Sequence, residues 1–162
     1  MPKAKLPATP QGRRRLLKLA KLLEANAKNK KGCRFDYGDW GSIEDPYQKP
    51  GLNCGTTACA LGLAAISGKF PGLGYKIGRG NYSIMIRLAG RGNRDLGNFQ
   101  IGAKYFGITM EQSHYLFSEA LSEVGNLGSS GGAKAERAVA KAIKRFVAGK
   151  GPYADAEADI AP

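Results

Sequence analysis

The sequence is short of several residue types that define common protein classes. It contains three cysteines, one histidine and one tryptophan in 162 residues. An odd number of cysteines without an export signal argues against a disulfide framework. No apolar run approaches the roughly 20 residues that span a bilayer, and the N-terminus has no apolar signal-peptide core. We therefore expect a cytoplasmic protein with no membrane span.

Acidic residues are also scarce. Thirteen Asp and Glu residues stand against 25 Lys and Arg residues, which gives a net charge of +12. Residues 1–31 hold ten of the basic residues and a single acid, Glu24, whereas residues 149–162 are acidic. This asymmetry is typical of a protein with a polyanionic partner, most often DNA or RNA. The alternative is a surface whose charge serves only solubility.

Composition and periodicity predict a single folded domain. Hydrophobic residues make up 43 % of the chain and charged residues 23 %, the balance of a globular protein. We predict a mobile basic arm at 1–8, a globular domain at 9–148 and a flexible acidic tail at 149–162. The predicted fold class is α+β and predominantly helical, with about five helices around a buried central helix and a small β-hairpin.

The central helix is predicted from the stretch 53–67, which opens on a turn and continues almost without polar residues. Asn53 or Thr56 is the expected N-cap. A helix that is apolar on every side is normally buried. Cys54 is then expected at the positive N-terminal end, where a thiolate is favoured.

Two cationic helices are predicted at the ends of the domain. Thr9 followed by Pro10 is a helix-start pattern, and this helix is expected to reach Lys28. The second is expected at about 133–148. Both place apolar residues on one face and basic residues on another. With two Gly-Arg-Gly-Asn turns (78–81 and 90–93), they supply the predicted phosphate contacts: Arg14, Lys18, Lys21, Arg79, Arg91, Lys134, Arg137 and Lys141.

Three further segments complete the prediction. The aromatic stretch 32–52 is expected to be an ordered loop anchored by Phe35, Tyr37 and Trp40; stacking of these rings on bases is the alternative. Strands at 75–77 and 82–89 are predicted to form the hairpin. Helices are predicted at 98–106, capped by Asn98, and at 110–121, begun by a capping box.

One catalytic pair is possible, with Cys54 as nucleophile and His114 as base. The string Asn-Cys-Gly before an alanine-rich helix resembles the nucleophile region of papain-like and C39-like cysteine peptidases. In those families the histidine lies on a strand, whereas His114 falls within a predicted helix, so we expect a core or boundary histidine.

Metal binding by Cys33, Cys54, Cys59 and His114 is a weaker option. Residues five apart on a helix point about 140° from each other, which separates Cys54 from Cys59. The glycines near 72–78 do not match a dinucleotide-binding fingerprint. The sequence therefore predicts no metal and no cofactor.

A series of motifs resembles a family of small bacterial and phage proteins that bear a CGTxAC motif. The series runs from the basic, leucine-rich first helix through Phe35-Asp36 and Trp40 to the motif at 54–59, and then to Ala103-x-x-Phe106-Gly107-Ile108 and Leu116-Phe117. The resemblance implies a compact, mostly helical domain and a phage or prophage setting.

These features predict a non-enzymatic basic protein, phage-encoded, that acts on nucleic acid or on a nucleic-acid-associated host machine. Two alternatives remain open. One is a cysteine-dependent hydrolase or transferase that uses Cys54 and His114. The other is an inhibitor that binds an acidic host protein through the same positive field.

Overall fold

The computed structural model describes residues 8–29, 31–36, 39–44, 56–78, 83–119 and 131–151, with only the backbone at 118 and 119. The predicted arm up to residue 7, the tail from residue 152, and Tyr37, Cys54 and Arg79 lie outside these ranges.

Five α-helices and five short strands follow one another in the described ranges, which confirms a mostly helical α+β fold. Their order is α1 (Pro10–Lys28), β1 (Arg34–Phe35), β2 (Ser42–Ile43), β3 (Thr56–Ala58), α2 (Ala60–Ser67), β4 (Leu73–Ile77), β5 (Ile84–Leu88), α3 (Asn98–Phe106), α4 (Met110–His114) and α5 (Gly132–Val147). A π-helical turn at Tyr115–Glu119 continues α4.

Helix α1 begins and ends where the sequence predicts. The Thr9 side chain accepts a hydrogen bond from the Gly12 N–H at 3.0 Å, and Pro10 occupies the first helical position. The leucine stripe of α1 is buried, against α5 most extensively and against α2 and α3. A Cβ on Gly12 would lie 1.8 Å from the Phe106 carbonyl oxygen, so this glycine allows α1 to approach α3 closely.

Helix α2 is buried along its length, as predicted, but it begins later than predicted. Every residue from 60 to 66 is buried. The N-cap is Cys59, not Asn53 or Thr56, because Thr56–Ala58 is extended as strand β3. β-Branched threonines favour this conformation. The central helix therefore begins at Ala60, six residues after Cys54, which corrects the predicted start of the helix.

The aromatic stretch predicted as a loop contains two strands, which corrects that prediction. β3 lies between β1, with which it pairs in parallel, and β2, with which it pairs antiparallel. Strands of two residues have too few side chains to show an alternating pattern, and their pairing partner is distant in sequence. Phe35 is buried as expected, whereas Trp40 is only partly buried.

The predicted hairpin is present as β4 and β5, paired in antiparallel register from Leu73 opposite Leu88 to Ile77 opposite Ile84. It is joined to the three-stranded sheet by a bridge between Ser42 and Ser83.

Helices α3 and α4 form the predicted helical hairpin. Gly107 closes α3 with a φ of +61°, and Thr109 and Gln112 exchange the hydrogen bonds of a capping box. The N-cap of α3 is Gly97, one residue before the predicted Asn98. The core of this hairpin is formed by the buried residues Ile101, Tyr105, Phe106, Ile108, Leu116 and Phe117. None of the described helices combines the length and apolar character needed to cross a bilayer.

Candidate functional site

The two cationic helices pack against each other, so their basic stripes belong to one layer of the fold. We call their exposed basic residues the cationic helix surface. On α1 and α5 these are Arg14, Lys18, Lys21, Lys28, Lys134, Arg137, Lys141, Lys144 and Arg145. Glu24 of α1 and Lys144 of α5 form an ion pair across the junction of the two helices. Six of the eight predicted phosphate contacts lie on this surface.

The cationic helix surface has no free carboxylate within α1 and α5. The two helices contain two acids, Glu24 and Glu136. Glu24 is paired with Lys144, and Glu136 is buried, with 1 % of its surface exposed. The field outside this layer is therefore positive along both helices, whose lengths are about 28 Å and about 24 Å at 1.5 Å per residue.

The basic residues of α1 differ in what they contact. The Arg15 guanidinium donates to the Tyr105 carbonyl oxygen at 2.7 Å and lies 4.0 Å from the centre of the Tyr105 ring. The Lys18 ammonium donates to the Lys69 carbonyl oxygen beside the Phe70 ring. Arg14 and Lys21 are exposed. Arg15 therefore serves packing, Lys18 is partly engaged, and Arg14 and Lys21 face the solvent.

The second Gly-Arg-Gly-Asn turn presents Arg91 to solvent between Gly90 and Gly92. Both glycines have positive φ, +116° and +81°, which favours glycine at these positions. Asn93 stabilises the turn, since its side-chain amide donates to the Ala89 carbonyl oxygen at 2.8 Å and its Oδ1 accepts from Lys104. Arg91 belongs to the segment between β5 and α3. The structure does not unite it with the cationic helix surface.

Beneath the cationic helix surface lies a buried polar cluster that sequence reasoning missed, formed by Asn26, Glu136 and the Cys33 carbonyl. Asn26 Nδ2 donates to both carboxylate oxygens of Glu136, at 2.8 and 3.1 Å, and to the Cys33 carbonyl oxygen at 2.8 Å. Burial raises the pKa of Glu136 to about 7, against the opposing hydrogen bond from Asn26 and the charge of Arg137. In the sequence, Glu136 has the helical spacing that places it on the same face as Val139, Ala140 and Ile143. This spacing could have identified Glu136 as a buried residue.

The two described cysteines are buried and are not activated. Burial raises the pKa of the Cys33 thiol to about 12, with Glu136 adding to the effect. Burial likewise raises the pKa of the Cys59 thiol to about 11, although the Gly62 and Leu61 N–H groups at the start of α2 act in the opposite direction. Thiolates, not thiols, are nucleophiles and metal ligands. Cys33 and Cys59 are therefore packing residues.

His114, for which the sequence predicted a core or boundary position, lies at the end of α4 with an exposed side chain. Its ring stacks on Phe99, with 3.8 Å between ring centres and 26° between ring planes. The Cys54–His114 pair stays a prediction, because Cys54 lies outside the described ranges. Within them, no three His, Cys, Asp or Glu side chains are grouped as a metal site requires.

A groove of about 530 Å³, here called the Trp40 groove, lies between residues 40–41, strand β5 and residues 94–98. Its walls include Trp40, Ile84, Met85, Arg87, Arg94 and Leu96. The Trp40 and Phe99 rings meet edge to face, with 5.0 Å between their centres, so Trp40, Phe99 and His114 form a series of three rings. Sequence reasoning named Trp40 and His114 but did not bring them together.

Comparison with protein-family models, with curated proteins and with solved structures found no match to the chain. The exposed ammonium and guanidinium groups of α1 and α5 are able to pair with anions, and the groove presents Trp40 and two arginines.

Proposed function

We propose that the protein binds nucleic acid through phosphate contacts made by the cationic helix surface, without catalysing a reaction. The observation that carries this proposal is the packing of α1 against α5, since it combines two basic stripes into one layer whose acids are paired or buried. The net charge of +12 acts in the same direction.

The contacts proposed on this surface are with phosphates, not with base edges. Lysine and arginine side chains that point into solvent recognise the backbone charge of DNA or RNA and carry little sequence information. Binding is therefore expected to be strongly dependent on salt and weakly dependent on sequence. The proposal also includes a cytoplasmic location, a phage origin, and host nucleic acid or its machinery as the target. The phage origin depends on the resemblance to proteins that bear the CGTxAC motif.

The test measures fluorescence anisotropy of a labelled duplex with the full chain at low salt. Three exposed residues are changed together in the variant Lys21→Glu, Arg137→Glu, Lys141→Glu. We expect its affinity to fall roughly a hundredfold, because three phosphate contacts are replaced by repulsion. The matched control changes Lys21 and Lys141 to Arg, which keeps the charge and should keep the affinity.

Two results would contradict the proposal. One is no binding of DNA or RNA by the unchanged protein at low salt. The other is equal affinity of the charge-reversed variant and the control. If the duplex is not bound but polyglutamate is, and the same charge reversal abolishes that binding, then the surface recognises an acidic protein instead.

A further inference from the structure

The Trp40 groove combines features that the cationic helix surface does not have. It is open to solvent, and it is lined by an aromatic ring, by the exposed side chain of Met85 and by two arginines. The described part of the chain contains a large core in which most aromatic rings are buried, whereas Trp40 and Phe99 are only partly buried and His114 is exposed. Trp40 and Phe99 pack against this core, and all three residues leave part of their surface accessible to a ligand.

The backbone holds Trp40 firmly at the groove wall. A Cβ on Gly62 would lie 1.9 Å from the Trp40 carbonyl oxygen, so helix α2 touches this residue from one side. A Cβ on Gly41 would lie 2.6 Å from the Ile84 Cβ, and the Ile84 N–H donates to the Gly41 carbonyl oxygen at 2.7 Å. The Trp40 backbone is thus fixed between α2 and β5. A ring whose position is set before binding loses little freedom when a ligand stacks on it.

The rings continue in series beyond the groove. The Trp40 and Phe99 rings are T-shaped, with 78° between the ring planes, and the His114 ring stacks on Phe99. The side chain of His114 is exposed. A flat ligand that stacks on His114 would therefore extend an existing pair of stacked rings.

Charged groups of both signs accompany the rings. Arg87 and Arg94 line the groove, and the Arg87 guanidinium donates to the Arg94 carbonyl oxygen at 3.2 Å. Two carboxylates, Asp39 and Asp95, also line it. Asp39 accepts hydrogen bonds from the Gly41 N–H at 3.0 Å and the Ser42 hydroxyl at 2.6 Å, so both of its oxygens are engaged within the chain. The lining therefore holds two arginines and two carboxylates, and Arg91 in the turn before Arg94 is a further exposed basic group.

We infer that the Trp40 groove and the ring series bind the unpaired bases of single-stranded nucleic acid. Aromatic side chains with arginines beside them are a usual platform for single strands, because every base has a face on which a ring can stack and the arginines can contact phosphates. In a duplex those faces are covered by neighbouring base pairs, so the rings would contribute nothing. This inference rests on the proposed function and adds preference for one form of nucleic acid.

The test uses the fact that Trp40 is the only tryptophan. Its fluorescence is followed while the full chain is titrated at low salt with oligothymidylate or with a blunt-ended duplex, and anisotropy reports binding of each. We expect both probes to bind and only the single strand to quench Trp40. If both bind and the quenching is absent or equal, the inference is overturned while the proposed function stands. If neither binds, both are overturned.

A second measurement addresses His114, whose exposed side chain can be changed without opening the core. His114→Ala should weaken binding of the single strand by roughly tenfold, the loss of one base–ring contact, and leave duplex affinity unchanged. His114→Phe keeps a ring and should retain single-strand affinity. Equal affinities of the two variants for the single strand would overturn the role of the ring series.

Discussion

The cationic helix surface and the Trp40 groove both carry positive charge, but in different surroundings. On α1 and α5 the basic side chains stand on long helices whose apolar residues face inward. Beside β5, arginines stand next to half-buried rings. The first arrangement can attract phosphates of any strand, whereas the second can also distinguish exposed bases from paired ones. The two proposals therefore assign affinity and strand preference to separate parts of the molecule.

The largest expected effect is on the pH dependence of stability, through Glu136, which lies beneath the cationic helix surface. The pKa of Glu136 is about 7 in the folded chain, whereas it is about 4.5 in the unfolded chain. Between these values the folded state holds more protons, so stability is greatest below about pH 4.5 and falls as the pH rises through 7. The free energy of unfolding should therefore be about 3 kcal/mol lower well above pH 7 than below pH 4.5.

Urea unfolding between pH 5 and pH 8 measures this effect, with Glu136→Gln as the comparison. Glutamine is neutral at every pH and can still accept a hydrogen bond from Asn26, so its stability should change less across this range. A wild-type protein and a Gln variant with the same pH dependence would show that Glu136 does not titrate there.

The next effect concerns the wall of the Trp40 groove. Gly62→Ala should lower stability by about 2 kcal/mol, because a Cβ at 1.9 Å from the Trp40 carbonyl oxygen forces the backbone apart. Gly74→Ala is the matched control, since a Cβ there meets no atom within 4 Å. Urea midpoints compare the two. If Gly62→Ala is as stable as the control, then α2 and Trp40 do not pack as described.

The smallest expected effect is a difference in stability and binding between variants of two adjacent arginines of α1, Arg14 and Arg15. Arg15→Met should lower stability by about 1 kcal/mol, because the hydrogen bond and ring contact with Tyr105 are lost. Arg14→Met should leave stability unchanged and weaken nucleic-acid binding a few-fold. Thermal unfolding and anisotropy on both variants measure this difference. The reverse pattern would mean that Arg15, not Arg14, faces the ligand.

Local sequence patterns predicted the helices because their signals are contiguous. Thr9-Pro10 fixed the start of α1, the Thr109–Gln112 capping box fixed the start of α4, and Gly107 fixed the end of α3. The alternation of basic and apolar residues likewise identified the exposed faces of α1 and α5. Each of these signals spans a few residues along the chain.

The errors have a common physical cause, which is dependence on distant partners. Strand β3 pairs with β1 and β2, and because its residues are extended, helix α2 begins only at Ala60, later than predicted. The contact between Asn26 and Glu136 joins residues 110 positions apart. The ring series brings Trp40 together with Phe99 and His114 from separate helices and loops. A local sequence pattern does not contain the information that predicts these long-range contacts.

The most direct test of the account is the salt dependence of nucleic-acid affinity. A plot of the logarithm of the association constant for a duplex against the logarithm of salt concentration should be linear, with a slope of about −4 to −5 if about five phosphates are neutralised. The charge-reversed variant at Lys21, Arg137 and Lys141 should reduce that slope to about −2. An affinity that does not depend on salt, or a slope that the variant leaves unchanged, would contradict phosphate binding by α1 and α5.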